Sequence, residues 1–427
     1  MGALSVAATA LFVVSGGLPA RAADVSSADH ELHERLIVLD THLDTPGQLD
    51  RPGWSIMDRH SLQSDPAQVD YPRMVDGSVD GGFWAIFTYQ RELTVQGYDT
   101  ARSQALKRAE QIRRMVADNP AHFVLATEAE DASRIVSQGK RIVYVSIENA
   151  YPLGTDMALL EKFHALGVRM IGLVHTSDNQ FADSATDERR TWHGLSPAGL
   201  ALVEEANRLG MIIDASHASD EAFDQMLARS RAPMILSHSG CDAIYDHPRN
   251  IDDGRLRALA AAGGVIQMNT LGAYLKKLPE TPERDREMAA LRARFPPLAS
   301  MTPGQVAQYM VARQEIGRRH PPARATFEDF MRHMLHAIEV AGIDHVGIGA
   351  DWDGGGGVDG LEDVSRVPRI TARLREEGFS EKQIAKVMGG NTLRVLCEAR
   401  RTASGNAISG RPSLPACSAR STGASSR

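Results

Sequence analysis

Eight short apolar runs, each followed by a stretch of helical periodicity, constrain this chain more than any other feature. The runs are LIVLD (36–40), FWAIFT (83–88), IVYVSI (142–147), RMIGLV (169–174), MIIDA (211–215), MILS (234–237), GVIQM (264–268) and HVGIG (345–349). Runs this short and this apolar suit strands buried on both faces, the condition of a parallel sheet covered by helices. The helices between them are legible too. Ser196 and Pro197 cap and open one that runs to about Leu209, and Gly210 stops it. Another begins at Ser219 to Glu221, and the segment 101–117 is amphipathic with arginines on one side. Eight strand–helix units predict a (β/α)8 TIM-like barrel, with a doubly wound open sheet as the second architecture the alternation allows. The stretch 276–322, rich in Pro, Arg and Glu, reads as an insertion before the last strand.

Composition narrows the function. The chain has 427 residues, 43% of them hydrophobic and 24% charged, which is ordinary globular usage. That length fits roughly three average domains or one barrel with insertions, and the unbroken alternation favours one catalytic domain over 23–400. Net charge is −7, so there is no basic footprint for nucleic acid. Aromatics at 5% supply no stacking platform for single strands, and three cysteines make no disulfide scaffold. Residues 3–18 are apolar, and Ala20 and Ala22 follow in an A-x-A pattern. This predicts a signal peptide over 1–22, export to the periplasm or beyond, and no membrane span in the mature form, although no basic residue precedes Arg21. The segment 401–427 is Ser-, Gly-, Ala-, Pro- and Arg-rich without periodicity and is expected to be a disordered tail.

In a barrel enzyme the chemistry sits just past the C-terminal ends of the strands. His42 and Asp44 follow the first run, Glu148 the third, and His175 the fourth. His217 follows the fifth, His238 the sixth, and Asp351 and Asp353 the eighth. Taken singly, each has an ordinary reading as a helix cap, turn residue, ion-pair partner or core histidine. Together they place imidazole or carboxylate on one rim from six strands. His30, His33, His122, His164, His333 and His336 fall on helical or loop patterns and take the structural reading. Neutral imidazoles and carboxylates suit Zn²⁺, with Mn²⁺ or Co²⁺ as alternatives. So many histidines and carboxylates exceed one tetrahedral site and suit two metals sharing a carboxylate. The reaction class this implies is metal-assisted hydrolysis of an amide or ester, with a spare carboxylate moving the proton. Gly354 to Gly357 form a glycine run with no following Lys-Ser/Thr, so it is not a P-loop.

The motifs D-T-H-L-D-T-P (40–46), H-G-L-S-P-A-G (193–199) and N-R-L-G-M-I-I-D-A-S-H-A-S (207–219) resemble the zinc-dependent membrane (renal) dipeptidase family and its bacterial members. So do A-P-M-I-L-S-H-S (232–239), D-H-P-R-N (246–250), G-I-G-A-D-W-D-G (347–354), G-L-E-D-V-S (360–365) and G-N-T-L-R-V-L (390–396), in the family's order from about residue 30 to 400. The resemblance implies a zinc metallodipeptidase. It implies two zinc ions per chain, His42 and Asp44 on the first, His217 and His238 on the second, and Glu148 bridging both. A hydroxide shared by the zinc ions would attack the peptide carbonyl. His175 would face the substrate and stabilise the oxyanion, and Asp351 would transfer the proton. Arg249, which in isolation reads as a solvated loop arginine, would pair with the carboxylate of a small peptide substrate. L-D dipeptides are within the implied range, and a homodimer is the implied assembly. The alternative on the same metals is an amidohydrolase of N-acyl amino acids, lactams or lactones; a barrel that only binds a ligand is the third reading. Two departures from the family pattern, Glu148-Asn149-Ala150 and His175-Thr176-Ser177-Asp178-Asn179, are expected to line the rim and alter substrate range.

Overall fold

The computed structural model describes residues 25–403. Among them eight parallel strands stand side by side: β1 (Leu39–Leu43), β2 (Gly81–Ile86), β3 (Arg141–Ile147), β4 (Val168–Gly172), β5 (Ile212–Asp214), β6 (Ile235–Cys241), β7 (Val265–Met268) and β8 (Val346–Ile348). Each pairs in parallel with the next. The ring closes beyond β8. Leu43 bridges Trp352 in parallel, the Asp44 N–H donates to the Trp352 carbonyl (2.9 Å), and Thr41 Oγ1 donates to the Ile348 carbonyl (3.2 Å). This closure is the expected barrel and removes the doubly wound alternative. Every strand residue except Arg141 is buried, which is why the strands read as unbroken apolar runs.

Strand boundaries differ from the apolar runs where polar residues are satisfied internally. The first run ends at Asp40, yet β1 continues through Asp40, Thr41 and His42. Asp40 accepts the backbone N–H groups of His42 (2.8 Å) and Ala350 (3.0 Å), and Thr41 Oγ1 donates to the Ser237 carbonyl (2.7 Å). β2 starts two residues before its aromatic run because Gly81 and Gly82 let its backbone approach its neighbours. A Cβ on Gly82 would lie 1.9 Å from the Asp40 carbonyl oxygen. Two short strands went unread: Phe123–Leu125 beside β3, and Asn250–Ile251 beside the end of β6.

The helices follow their end signals. Pro197–Leu209 is capped by Ser196, whose side chain accepts from the Gly199 N–H, and Gly210 ends it at φ +72°; such a cap contributes about 1 kcal/mol. Asp220–Arg229 is capped by Ser219. The helix expected over 101–117 spans Val95–Asp118, because Thr94 caps it a turn and a half earlier. The insertion forms two helices, Pro282–Ala293 and Pro303–Arg319, with small apolar clusters of their own around Met288, Ile316 and Met310. Its turn Leu298–Ser300 packs on the turn Thr45–Asp50 that leaves β1, so the insertion lies at the end of the barrel where β1 exits.

Apolar residues at the starts of the strands, from Leu39 of β1 to Val265 of β7, form one cluster with Leu393 and Leu396 of the helix Asn391–Ala403. That plug leaves the other end for polar groups. The same helix corrects the expected domain end at 400, since residues 401–403 continue it. The segment 1–22, expected to be a signal peptide, and the rest of the expected tail beyond residue 403 lie outside the described residues. No helix among the described residues is long and apolar enough to cross a membrane.

Candidate metal centre

The site is assembled at the strand exits. Near the end of β1, the two backbone N–H groups held by Asp40 lock the His42 backbone against the loop after β8. Glu148 is the first residue after β3, and its Oε1 is the focus of the cluster. The Nε2 atoms of His175 and His217 lie 3.3 Å from it, that of His42 3.7 Å and that of His238 3.8 Å. The His217 and His238 Nε2 atoms are 2.9 Å apart, and the rings of His42 and His238 have centroids 3.8 Å apart. Asp44 Oδ2 lies 3.4 Å from His42 Nε2. Donor atoms of His42, Asp44 and Asp351 fall within 4.8 Å of one another.

Seven expected residues, His42, Asp44, Glu148, His175, His217, His238 and Asp351, therefore cluster at the strand exits. The implied division into a His42–Asp44 half and a His217–His238 half is less sharp in the geometry. His42 groups with Glu148 and His238 as closely as with Asp44 and Asp351, and His175 groups with Glu148 and His217. His175 is the imidazole most open to solvent, its side chain 24% exposed against 0–5% for the other three.

Backbone strain marks the same place. His217 (φ +70°) and Asp351 (φ +64°) both adopt the left-handed region that side chains disfavour. The Asp351 carbonyl is held by the N–H groups of Gly354 (3.2 Å) and Gly356 (2.9 Å). Gly354 also leaves room for the carboxylates, since a Cβ there would lie 2.1 Å from both Asp351 Oδ1 and Asp44 Oδ2. Asp353, also at positive φ (+67°), serves the loop instead. It accepts from the Gln68 N–H (2.7 Å) and Thr45 Oγ1 (2.7 Å).

Charge in the pocket is unbalanced. Burial holds His217 and His238 well below the ordinary histidine range, so both are neutral and their lone pairs are available. Burial opposes ionisation of Glu148, but His42, His175 and His217 outweigh it and keep the carboxylate ionised. For His42 burial is again overridden, here by Glu148, Asp44 and Asp351, which push it up to about 10. Burial, with Asp44 and Glu148 nearby, raises Asp351 well above the carboxylate range. The acidic groups thus draw positive charge into their midst, and without a metal a proton on His42 supplies it. Both ring nitrogens of His42 and Nδ1 of His217 are buried without a hydrogen-bond partner. Orphaned imidazole nitrogens beside an ionised carboxylate are the donor set of a divalent metal site, and these residues fit one.

Arg249 forms one wall. It is 4% exposed, its Nη2 donates to the His238 carbonyl (3.1 Å), and its guanidinium lies 5.3 Å above the Tyr274 ring. Its Nε has no partner. The surface reading of this arginine is thus overturned: the loop 242–249 folds back and buries it. The two departures also behave otherwise than expected. Asn149 is 1% exposed and spends its side chain on the Thr88 carbonyl and the Tyr151 N–H. Asp178 binds the N–H groups of Ser184 and Thr191, and Asn179 those of Phe181 and Ala182. These side chains shape the loop around His175 from within rather than line the rim.

The family described as Membrane dipeptidase (Peptidase family M19) matches residues 27–409. The chain belongs to the membrane dipeptidase family. Among membrane dipeptidases and their relatives, the dipeptidase tcpJ of Claviceps purpurea is 31% identical over 351 residues, 81% of this chain and 72% of that protein. The crystal structure of the probable dipeptidase PvdM from Pseudomonas aeruginosa is 35% identical with a TM-score of 0.74, covering 88% of this chain and 98% of that one. A metallo peptidase from Rhodobacter sphaeroides, solved with a phosphinate mimic of the dipeptide L-Ala-D-Ala, is 25% identical with a TM-score of 0.67, covering 85% and 99%. As a membrane dipeptidase the chain is a metal-dependent peptide hydrolase on a (β/α)8 barrel.

Asp40 and Asp214 lie within the apolar runs LIVLD and MIIDA, where the sequence reading assigns them no role. The available signal was a carboxylate inside a strand buried on both faces, which must be hydrogen-bonded to be tolerated.

Proposed function

We propose that this protein hydrolyses dipeptides with two zinc ions held by His42, Asp44, Glu148, His217 and His238, with Glu148 shared. The observation that carries the reading is the convergence of four imidazole Nε2 atoms within 3.3–3.8 Å of one Glu148 oxygen. When bound, the ions supply an acidified water and polarise the scissile carbonyl. The chain's own groups do the rest. Arg249 has a free Nε and a buried planar fork, suited to a substrate carboxylate, and Tyr274 beneath it fixes its plane. An anchor that reads the terminal carboxylate favours short peptides. His175 donates towards the carbonyl oxygen as charge develops there, a contribution of about 3–4 kcal/mol for a well-placed donor. Asp351, as an ionised carboxylate, accepts the proton of the attacking water and hands it to the leaving amine; burial raises its affinity for that proton.

L-D dipeptides are included in the proposed range, supported by the L-Ala-D-Ala mimic in the Rhodobacter sphaeroides structure. Export is also proposed, on the apolar run 3–18 and the small residues at 20 and 22. The test is amino-acid release from a panel of L-L and L-D dipeptides by zinc-loaded protein and by protein stripped with chelator. Release that vanishes on stripping and returns with zinc is the expected result. No release from protein verified to hold two metals would overturn the dipeptidase reading and favour N-acyl amino acids, lactams or lactones.

A further inference from the structure

The three buried imidazoles proposed as ligands are not held alike. His42 has no hydrogen-bond partner on either ring nitrogen, and His217 has none on Nδ1. His238 Nδ1 lies 2.8 Å from Ser237 Oγ, and Ser237 Oγ in turn bonds to Asp214 Oδ2. Asp214 is 2% exposed. Its other oxygen, Oδ1, accepts the backbone N–H groups of Ser216 (2.9 Å) and Ser237 (2.9 Å).

The direction of this chain follows from valence. Asp214 is surrounded by donors, with two backbone N–H groups on Oδ1, and the Ser237 hydroxyl donates its single proton to Oδ2. Ser237 Oγ then has only lone pairs to offer His238, so Nδ1 must carry the hydrogen. Nε2 is left as a bare lone pair, and it is the atom facing Glu148 and His217. We propose that Asp214 and Ser237 are positioning residues that lock His238 in its Nδ1–H tautomer and so tune metal retention at the His238 side of the site. The inference rests on the metal reading above and adds to it two residues that touch neither substrate nor metal.

The relay makes a prediction that simple loss of packing does not. In Asp214→Asn the side-chain oxygen keeps the two backbone N–H bonds, and the new NH₂ faces Ser237. The hydroxyl then loses its acceptor and turns to His238 Nδ1, at 2.8 Å the nearer of its two remaining acceptors (Ser216 Oγ lies at 3.4 Å), which moves the ring hydrogen to Nε2 and blocks the ligand lone pair. Ser237→Ala only removes the lock and lets the ring choose. Asp214→Asn is therefore the more damaging of the two, although it is the more nearly isosteric. Loss of a group orienting a ligand typically costs 10–100-fold in metal affinity. We expect Ser237→Ala near the lower end and Asp214→Asn at or beyond the upper end.

The experiment is competition for Zn²⁺ between the protein and a chromophoric chelator, with folding of each variant checked by circular dichroism. Histidine-selective ¹⁵N NMR of the metal-free wild type, with the His238 signal assigned from a His238→Gln variant, reads the tautomer directly and needs no folded Asp214 variant. Zinc affinity falling in the order wild type, Ser237→Ala, Asp214→Asn, together with an Nδ1–H signature, is the expected outcome. Wild-type zinc affinity in Asp214→Asn, equal losses in both variants, or an Nε2–H signature would each overturn the relay while leaving the metal site standing. A wild-type protein that binds no zinc would overturn the metal reading itself, and the relay's purpose with it.

Discussion

On the β1–β8 side of the site, His42 stands with Asp44 and Asp351; on the β5–β6 side, His217 stands with His238. The first side is rich in carboxylate and is braced through the backbone. Asp40 grips the His42 and Ala350 N–H groups, while the His42 ring nitrogens have no hydrogen-bond partner. The second side is rich in neutral imidazole and is braced through a side chain, by the Asp214–Ser237 relay to His238. Glu148 reaches both. One side therefore concentrates negative charge and draws protons, while the other keeps its imidazoles neutral. Proton transfer belongs on the first side and uncharged ligation on the second.

Removing what the two sides share gives the largest effect. Glu148→Gln is expected to lower metal content and turnover together, by at least about 10³-fold in kcat/KM. Retained activity with two bound metals, by elemental analysis and a release assay, would take Glu148 out of its place between the sides. Next is a change confined to the carboxylate side. Asp351→Asn should keep both metals and lower kcat by about 10²–10⁴-fold with little change in KM, the size of a general acid–base contribution. Metal loss in that variant would mean the division of labour is wrong.

Arg249→Lys tests the wall behind the imidazole side. It should raise KM by about 10–100-fold with a smaller change in kcat, because a bidentate, ring-stacked guanidinium becomes a point charge. A dipeptide amide, which lacks the carboxylate, should be nearly indifferent to it. Equal loss for acid and amide would place Arg249 elsewhere in the mechanism.

The smallest effect is one of pH. In metal-free protein His42 is raised from 6.5 to about 10. A raised histidine stabilises the fold fully below its unfolded pKa and loses that contribution as pH climbs through the folded one. The window is thus from about 6.5 to 10, and metal-free protein should lose thermal stability across it more than metal-loaded protein. Zinc binding should also release about one proton near pH 8, because the ligand must be neutral. Calorimetry in two buffers of different ionisation enthalpy counts it, and no proton release would mean that His42 is already neutral.

Much of this was legible because it is local. The strand runs reflect burial on both faces, and the caps at Ser196, Ser219 and Gly210 are chemistry between close neighbours in sequence. The rim residues were legible because each lies within a few positions of the end of an apolar run. Three things were not. The first strand was ended at Asp40, short of Thr41 and His42, because the partners of Asp40 and Thr41 at Ala350 and Ser237 are distant in the chain. Arg249 looked exposed, because nothing local says that its loop folds back onto His238. Asn149, Asp178 and Asn179 looked like rim residues, because a one-dimensional pattern does not distinguish a polar side chain facing a pocket from one bonding its own loop.

By itself the sequence determined the eight strands of the barrel, several helix ends and the residue types delivered to one rim, since these depend on short-range periodicity and on where polarity interrupts it. Only the tertiary structure decided which nitrogens meet at the Glu148 oxygen, that Arg249 is buried beside them, and which tautomer His238 holds. Those outcomes depend on contacts such as that between Asp40 and Ala350, 310 positions apart. Such contacts exist only once the barrel has closed.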